Sequence, residues 1–384
     1  MALDYVREGL HVFAQDLILP YICSNAFGRL PLLYFMALRS GQTSKTSTTL
    51  GRPGMQPILS GASLSKARQE ELSGFSVKVN IHTGTSDNTK EMGARDTRPT
   101  VTTSQDQNYA EAEFRRARII TPIKISHMAM NLAMGSGNGD ARSANRAVLN
   151  LVRNATDEAM GVHATFQATR MWFGGSINPT DSVDYTFNQN VFPWTRYLGI
   201  LSAMNTDNTY GRVPRSALPS GAAWKGKRIT SPFACDIFEL IDEMNIAQGC
   251  ADSGIGDGGI TLLLCTKKQF RKYKRQARKE GMKYWPEGVP EMAELGFKRE
   301  VILVDNTYVT YDPLCPAGYA AGFNLGTWAF AADKKDNFRV TEFKSMADNG
   351  QSAGEEADQA FVITEASLIN WSPYANCLAT AISE

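Results

Sequence analysis

The chain has 384 residues, 43% of them apolar, with 40 basic and 39 acidic residues and a formal charge of +1. That length buries a substantial core and divides into two or more domains, and the apolar fraction excludes wholesale disorder. The near-neutral balance excludes attraction of the whole surface to nucleic acid or anionic membrane and leaves only local patches to act.

The six cysteines, Cys23, Cys235, Cys250, Cys265, Cys315 and Cys377, form no Cys-x-x-Cys pair. They read as reduced, buried thiols of a cytoplasmically made protein. Asp4 and Glu8 do not suit the positive start of a secretory signal. The apolar run 30–38 contains Pro31 and is too short to span a bilayer, so a soluble protein with no membrane partner is expected.

Residues 2–19 carry Val6, Leu10, Phe13 and Leu17 at helical spacing and end at Pro20. From Ser40 the chain reads GQTSKTSTTLGRPGMQP, too polar and too rich in Gly, Pro, Ser and Thr for a core of its own; it predicts an extended arm. Over 75–83, Phe75, Val77, Val79 and Ile81 alternate with polar residues, the period of a half-buried strand. A polar tip follows, and the chain returns through 109–126, where Ile119, Ile123 and Ile125 again predict extended structure. Two strands around a polar tip describe a hairpin projecting from the body, and such a pair is marginal alone in water.

The longest periodic segment is 140–170, with no proline and one interior glycine. Ala144, Val148, Leu151, Val152, Ala155, Ala159, Val162 and Phe166 recur at intervals that put them on one helical face, with Asp140 placed to cap the first turn. At ~1.5 Å per residue such a helix is roughly 45 Å long, so something long must lie beside it. Trp172, Phe173, Gly174 and Gly175 end it, and 176–230 is loop-rich. A second helix uses Phe233, Ile237, Leu240, Ile241, Met244 and Ala247 and closes at Gly249. A buried strand at 260–265, a helix at 266–280 and another buried strand at 301–304 then predict a compact α/β unit. Further strands are expected at 328–331, 338–343 and 361–369, and no internal repeat is present.

Candidate chemistry is sparse. GSGNG at 135–139 opens a helix, where backbone N–H groups could hold a phosphate, but no strand precedes it and no P-loop lysine follows. GIGDGG at 254–259 precedes a strand, the wrong order for a dinucleotide fingerprint. His11, His82, His127 and His163 lie in separate elements, with His163 a partly buried contact residue, so no metal site is expected. No serine sits in a Gly-x-Ser-x-Gly turn, and the pairs Glu70/Glu71 and Glu111/Glu113 read as solvated faces, so neither an enzyme nor a cofactor is expected. A cytoplasmic enzyme holding nucleotide at Gly135 to Asp140 is the rival reading from this segment. The helix at 266–280 carries eight basic residues between Lys267 and Lys279 and reads as a solvated outer helix, with contact to nucleic-acid phosphates as the rival.

The order of arm, projecting hairpin, long helix and later α/β unit resembles the major capsid protein of tailed phages, the Hong Kong 97-type fold. ILVDNTYVTYDPLCPAGYAAGFNLGTWAF (302–330) is similar to the strand, Asp, Pro-containing loop and late Asn-containing strand of that family, and NTYGRVPRSALP ahead of Trp224 resembles the loop before its central domain. The resemblance covers about residue 40 to the end. It implies an α+β fold with an N-terminal helix and arm at 1–66 and an extended hairpin loop at 67–126. A peripheral domain follows at 127–231 with its spine helix at 140–170. The axial domain spans 232–330, and 331–384 return to the peripheral domain.

By the same resemblance the chain assembles with itself as pentamers and hexamers into an icosahedral virion shell around double-stranded DNA. A separate scaffolding protein is implied, because only a short helix and arm precede the hairpin, and a portal. Arg52, Lys78, Asp87, Lys90, Glu91, Arg95 and Arg98 on arm and hairpin are the implied contacts between copies. Lys78, Lys90, Asn370 and Asn376 are of the types that crosslink some members, but no spacing marks a pair and no crosslink is expected. The encapsulin compartment shell is the alternative within this fold, and the long polar arm favours the phage reading.

Overall fold

The structure, a computed structural model, describes residues 30–33, 35–36, 68–71, 76–82, 109–135, 141–174, 198–206, 209–218, 224–230, 236–248, 259–286, 299–304, 307–332, 339–345 and 357–380. The expected helix at 2–19, the arm from Ser40, the hairpin tip and the Asp140 cap lie outside them.

In chain order the strands begin with β1 (Arg68–Glu71), β2 (Ser76–His82), β3 (Tyr109–Arg115) and β4 (Ala117–Ser126). Helices α1 (His127–Gly135), α2 (Ala141–Phe173) and α3 (Ile200–Ala203) follow, then β5 (Thr209–Tyr210), β6 (Val213–Pro214) and β7 (Lys227–Thr230). Next come α4 (Ile237–Gln248), β8 (Leu262–Cys265), α5 (Lys267–Glu280), β9 (Tyr284–Trp285), β10 (Val301–Val304), β11 (Thr307–Tyr311) and β12 (Ala320–Phe323). The chain closes through β13 (Trp328–Ala332), β14 (Arg339–Val340), β15 (Lys344–Ser345), β16 (Ala357–Asn370) and β17 (Cys377–Thr380).

Two sheets hold the body together. In the six-stranded sheet, β16 pairs antiparallel with β4 along one edge over ten residues, from Ala357↔Ser126 to Ala366↔Ala117. Its other edge takes β15, β14 and β13 in succession, and β1 joins β13 in parallel. The long helix lies across this sheet, packing on β4 and β16.

Its buried stripe is Val148, Val152, Thr156, Ala159, Met160, His163, Ala164, Gln167, Ala168 and Met171, running into Trp172 and Phe173. That stripe is turned relative to the apolar face read from the sequence, because Val162 and Phe166 are 57% and 45% exposed. The turn is possible because His163, fully buried, is hydrogen-bonded through Nδ1 to Thr121 of β4 (2.9 Å) and through Nε2 to Thr364 of β16 (2.8 Å). A buried imidazole with both nitrogens satisfied costs little, whereas an unpaired one would cost several kcal/mol, on the order of 2–7. His163 is thus a fully buried rivet between helix and sheet. Burial holds its pKa down at about 4.

The seven-stranded sheet runs β7-β17-β12-β8-β11-β10-β9. The two faces of β8 alternate, with Leu262 and Leu264 toward the main core, and Leu263 and Cys265 toward α4 and α5. β7 opens this sheet in chain order, and β17, the last strand among the described residues, lies within it, paired with β12 and β7. All four residues of β17 are buried, and it fills the slot between β7 and β12.

Residues 30–33 and 35–36 are built into this body: Leu32, Leu33, Phe35 and Met36 are at most 1% exposed. Asp312, at the end of β11, accepts the Leu32 backbone N–H at 3.0 Å and that of Leu314 at 2.8 Å. Burial pushes its carboxyl up, opposed by those two N–H groups and by Arg299.

Candidate assembly interface

The hairpin of β2 and β3 is antiparallel with the register Ser76↔Arg115 to His82↔Tyr109. The returning arm expected as one stretch from 109 to 126 is two strands. β3 belongs to the hairpin, the chain breaks at Arg116, and β4 enters the six-stranded sheet. Glu365 of β16 marks the change by binding Arg116 at 2.9 Å and Arg118 at 3.0 Å.

The root of the hairpin docks on its own subunit through the segment TYGRVP (209–214). β5 and β6 are joined by Gly211 and Arg212, with φ of 57° and 68°, the two-residue turn with both central residues left-handed. The Gly211 carbonyl accepts the Glu113 N–H at 3.0 Å, and Arg212 pairs with the Glu113 carboxylate. A Cβ on Gly211 would stand 3.0 Å from Ala112 Cβ and Phe114 Cζ, so glycine is required for contact as well as for φ. Beneath the turn, Phe114 meets Tyr210 edge-on at 5.1 Å and Trp224 at 6.1 Å, while the Trp224 indole N–H donates to the Tyr210 carbonyl at 3.1 Å. Arg215 supports the cluster from below. It stacks on the Tyr210 ring at 4.5 Å and donates to the carbonyls of Ser202, Ala203 and Asn205, capping α3. Burial lowers its pKa to about 10.

Of the contact residues implied by the sequence, Lys78 lies on β2, 64% exposed, and its ammonium reaches Glu111 of β3 at 2.5 Å. That hydrogen bond raises its pKa. Arg52, Asp87, Lys90, Glu91, Arg95 and Arg98 lie outside the described residues. Exposed large apolar side chains, which composition does not reveal, stand at Ile120, Met128, Leu132, Val162 and Phe166, all on β4, α1 and α2. Met128 and Leu132, 80% and 76% exposed, are one helical turn apart on the same face of α1.

The basic helix α5 has its apolar side seated on the seven-stranded sheet through Phe270, Tyr273 and Ala277. Thr266 and Gln269 form a reciprocal capping box at its start, and Gly281, with φ of 71°, closes it. On the outer side, Lys267/Arg271, Lys268/Lys272, Arg271/Arg275, Lys274/Arg278 and Arg275/Lys279 are like-charged pairs one turn apart. At about 0.2–0.5 kcal/mol each, five such pairs cost roughly 1–2.5 kcal/mol, and Lys267 and Lys268 add to that at the positive end of the helix dipole. Burial of Phe270 and Tyr273, about 1.5–3 kcal/mol per large side chain, outweighs this, so the helix stands despite its charge.

Among the described residues, no group of three or more His, Cys, Asp or Glu side chains is placed to hold a metal ion, and no helix is long and apolar enough to cross a membrane.

The two-sheet body, with its long helix laid across one sheet and a hairpin rooted beside it, matches the chain in the capsid asymmetric unit of cyanophage A-1(L) with a TM-score of 0.53 at 12% identity, over 82% of this chain and 90% of that one. This is the Hong Kong 97-type capsid fold. Looser likenesses include the holo-SrpI encapsulin complex of Synechococcus elongatus, at a TM-score of 0.47 and 9% identity over 83% and 85% of the two chains. The phage G major capsid and decoration protein structure is another, at 0.44 and 8% over 90% and 96%. No family model matches the chain, and no curated protein matches it by sequence.

Proposed function

We propose that this chain is the repeating subunit of a closed protein shell, and specifically the major capsid protein of a tailed phage. It assembles as pentamers and hexamers around double-stranded DNA, with a separate scaffolding protein and a portal, and performs no catalysis. The observation that carries this reading is the Hong Kong 97-type fold shared with the cyanophage capsid chain. Two physical features support it further. The polar stretch from Ser40 has too little apolar surface to be ordered by its own packing. The exposed Met128, Leu132, Val162 and Phe166 are surfaces for neighbouring copies to cover.

In this reading Lys78, with Arg52, Asp87, Lys90, Glu91, Arg95 and Arg98, contacts adjacent subunits, and ordering of arm and hairpin tip is offset by burial on those neighbours. Sedimentation of the purified chain with co-expressed scaffolding protein tests it. Large closed particles are expected there, and particles taken from infected cells are expected to carry nuclease-resistant DNA. Particles that carry a folded enzyme cargo and no DNA make the chain an encapsulin instead, and a strictly small species under every condition removes the shell reading.

A further inference from the structure

The exposed side of α5 carries Lys267, Arg271, Arg275, Arg278 and Lys279, and Lys283 follows just beyond its C-cap, also exposed. From Lys267 to Lys279 the axis covers ~18 Å, a length over which duplex DNA presents about ten phosphate charges. Aromatic rings hold four of the cationic heads at or beside this face. Tyr311 lies under Lys267 (5.7 Å) and Arg299 (4.8 Å), and Tyr284 lies under Lys274 (4.9 Å) and Arg278 (5.4 Å). Lys274, at the margin of this face, is bound to the Glu300 carboxylate at 2.6 Å. Arg271, Arg275 and Lys279 make no ion pair among the described residues.

A solvated helix would relieve its charge with acidic residues one turn away, and here Glu280 is the sole acidic residue of the fourteen in the helix. The face therefore concentrates positive charge in a chain whose total is +1. It also lacks an apolar anchor, since none of the exposed large hydrophobic residues is on α5. Protein partners are held by buried apolar or aromatic anchors, and backbone phosphates need only ordered cations.

The geometry points to the outer face of α5 as a sequence-independent binding surface for duplex DNA, engaged through the phosphodiester backbone. The capsid reading supplies its setting, in which this face lies toward the packaged genome, but the surface itself can be tested apart from assembly.

The test titrates the full-length chain with short random-sequence DNA duplexes across a range of salt concentrations, beside the variant Arg271→Gln/Arg275→Gln/Lys279→Gln. The wild type is expected to bind unrelated duplex sequences equally, with a steep salt dependence. The variant is expected to lower the slope of log affinity against log salt by about 0.9 for each phosphate it no longer neutralises, or about 3 in all. In the unaltered chain, acetylation of Lys279 and Lys283 should be suppressed by duplex. No binding at low salt, equal slopes for both proteins, unprotected lysines, or binding of polyglutamate as tight as that of the duplex would each overturn the assignment. A chain that forms shells but ignores duplex sinks this inference alone. One that binds duplex through α5 yet never assembles sinks the capsid reading alone.

Discussion

The side-chain oxygen of Asn376 accepts the indole N–H of Trp328 at 2.8 Å, joining the two places where the chain crosses between its sheets. The first crossing leaves β12 and enters β13 through 324–327, and the second leaves β16 and enters β17 through 371–376. The same oxygen accepts the Asn324 N–H at 2.9 Å, and the side-chain amide donates to Thr327 Oγ1 and the Ser372 carbonyl at 2.9 and 3.0 Å. Fully buried and bonded at every position, Asn376 is a structural clasp, and its amide is not presented at the surface for chemistry between subunits.

Replacing Asn376 with Ala leaves the Trp328 and Asn324 donors buried without acceptors. At about 1–3 kcal/mol per group left unpaired, the variant should lose on the order of 3 kcal/mol of stability. Denaturant unfolding of the unassembled subunit checks this, and a wild-type midpoint would remove the clasp from the account.

His163 makes stability depend on pH. Its folded pKa of about 4 lies below its ordinary 6.5 because burial disfavours the charged ring, so the unfolded chain binds the extra proton first as pH falls. Its contribution is complete above pH 6.5 and is lost as pH drops from there to about 4, to a total of about 3 kcal/mol. From β4 and β16 the ring meets the neutral hydroxyls of Thr121 and Thr364. Unfolding free energies at neutral and acid pH should therefore converge in His163→Gln relative to wild type. Equal pH dependence in the two proteins would contradict this.

Gly211→Ala puts a side chain at φ of 57° and within 3.0 Å of Ala112 and Phe114. Strain of about 1–3 kcal/mol should fall on the hairpin root. Deuterium uptake in β2 and β3 should rise while α5 stays protected. Uniform uptake across the chain would mean that the β5–β6 turn does not anchor the hairpin.

Lys78→Ala should leave the unfolding midpoint of the isolated subunit unchanged, because its pairing with Glu111 is exposed on both sides, at 64% and 48%. The effect is expected in assembly kinetics, followed by light scattering. Unchanged assembly would take Lys78 out of the subunit contacts.

The long helix was legible because thirty-three residues run without proline and the apolar period persists along it. Its orientation was not. Val162 and Phe166 look like core residues by type, while His163 is buried because two threonines, 42 and 201 positions away in sequence, satisfy its nitrogens. The α/β order from 260 to 304 was readable from continuous apolar runs, and β11, polar at Thr307 and Thr310, was not, because those hydroxyls are satisfied by the carbonyls of Ile260 and Glu300. The split of 109–126 at Arg116 and the entry of β17 into the seven-stranded sheet are set by pairing with β16 and β12. Strand composition carries no record of which distant strand will be the neighbour.

Electron microscopy of particles formed by the purified chain with its scaffolding protein tests the central claim most directly. Closed shells of pentamers and hexamers are expected, in which each hairpin extends from its clamp at Gly211 onto an adjacent copy. A compact monomer whose arm and hairpin tip both fold back on their own subunit would contradict it.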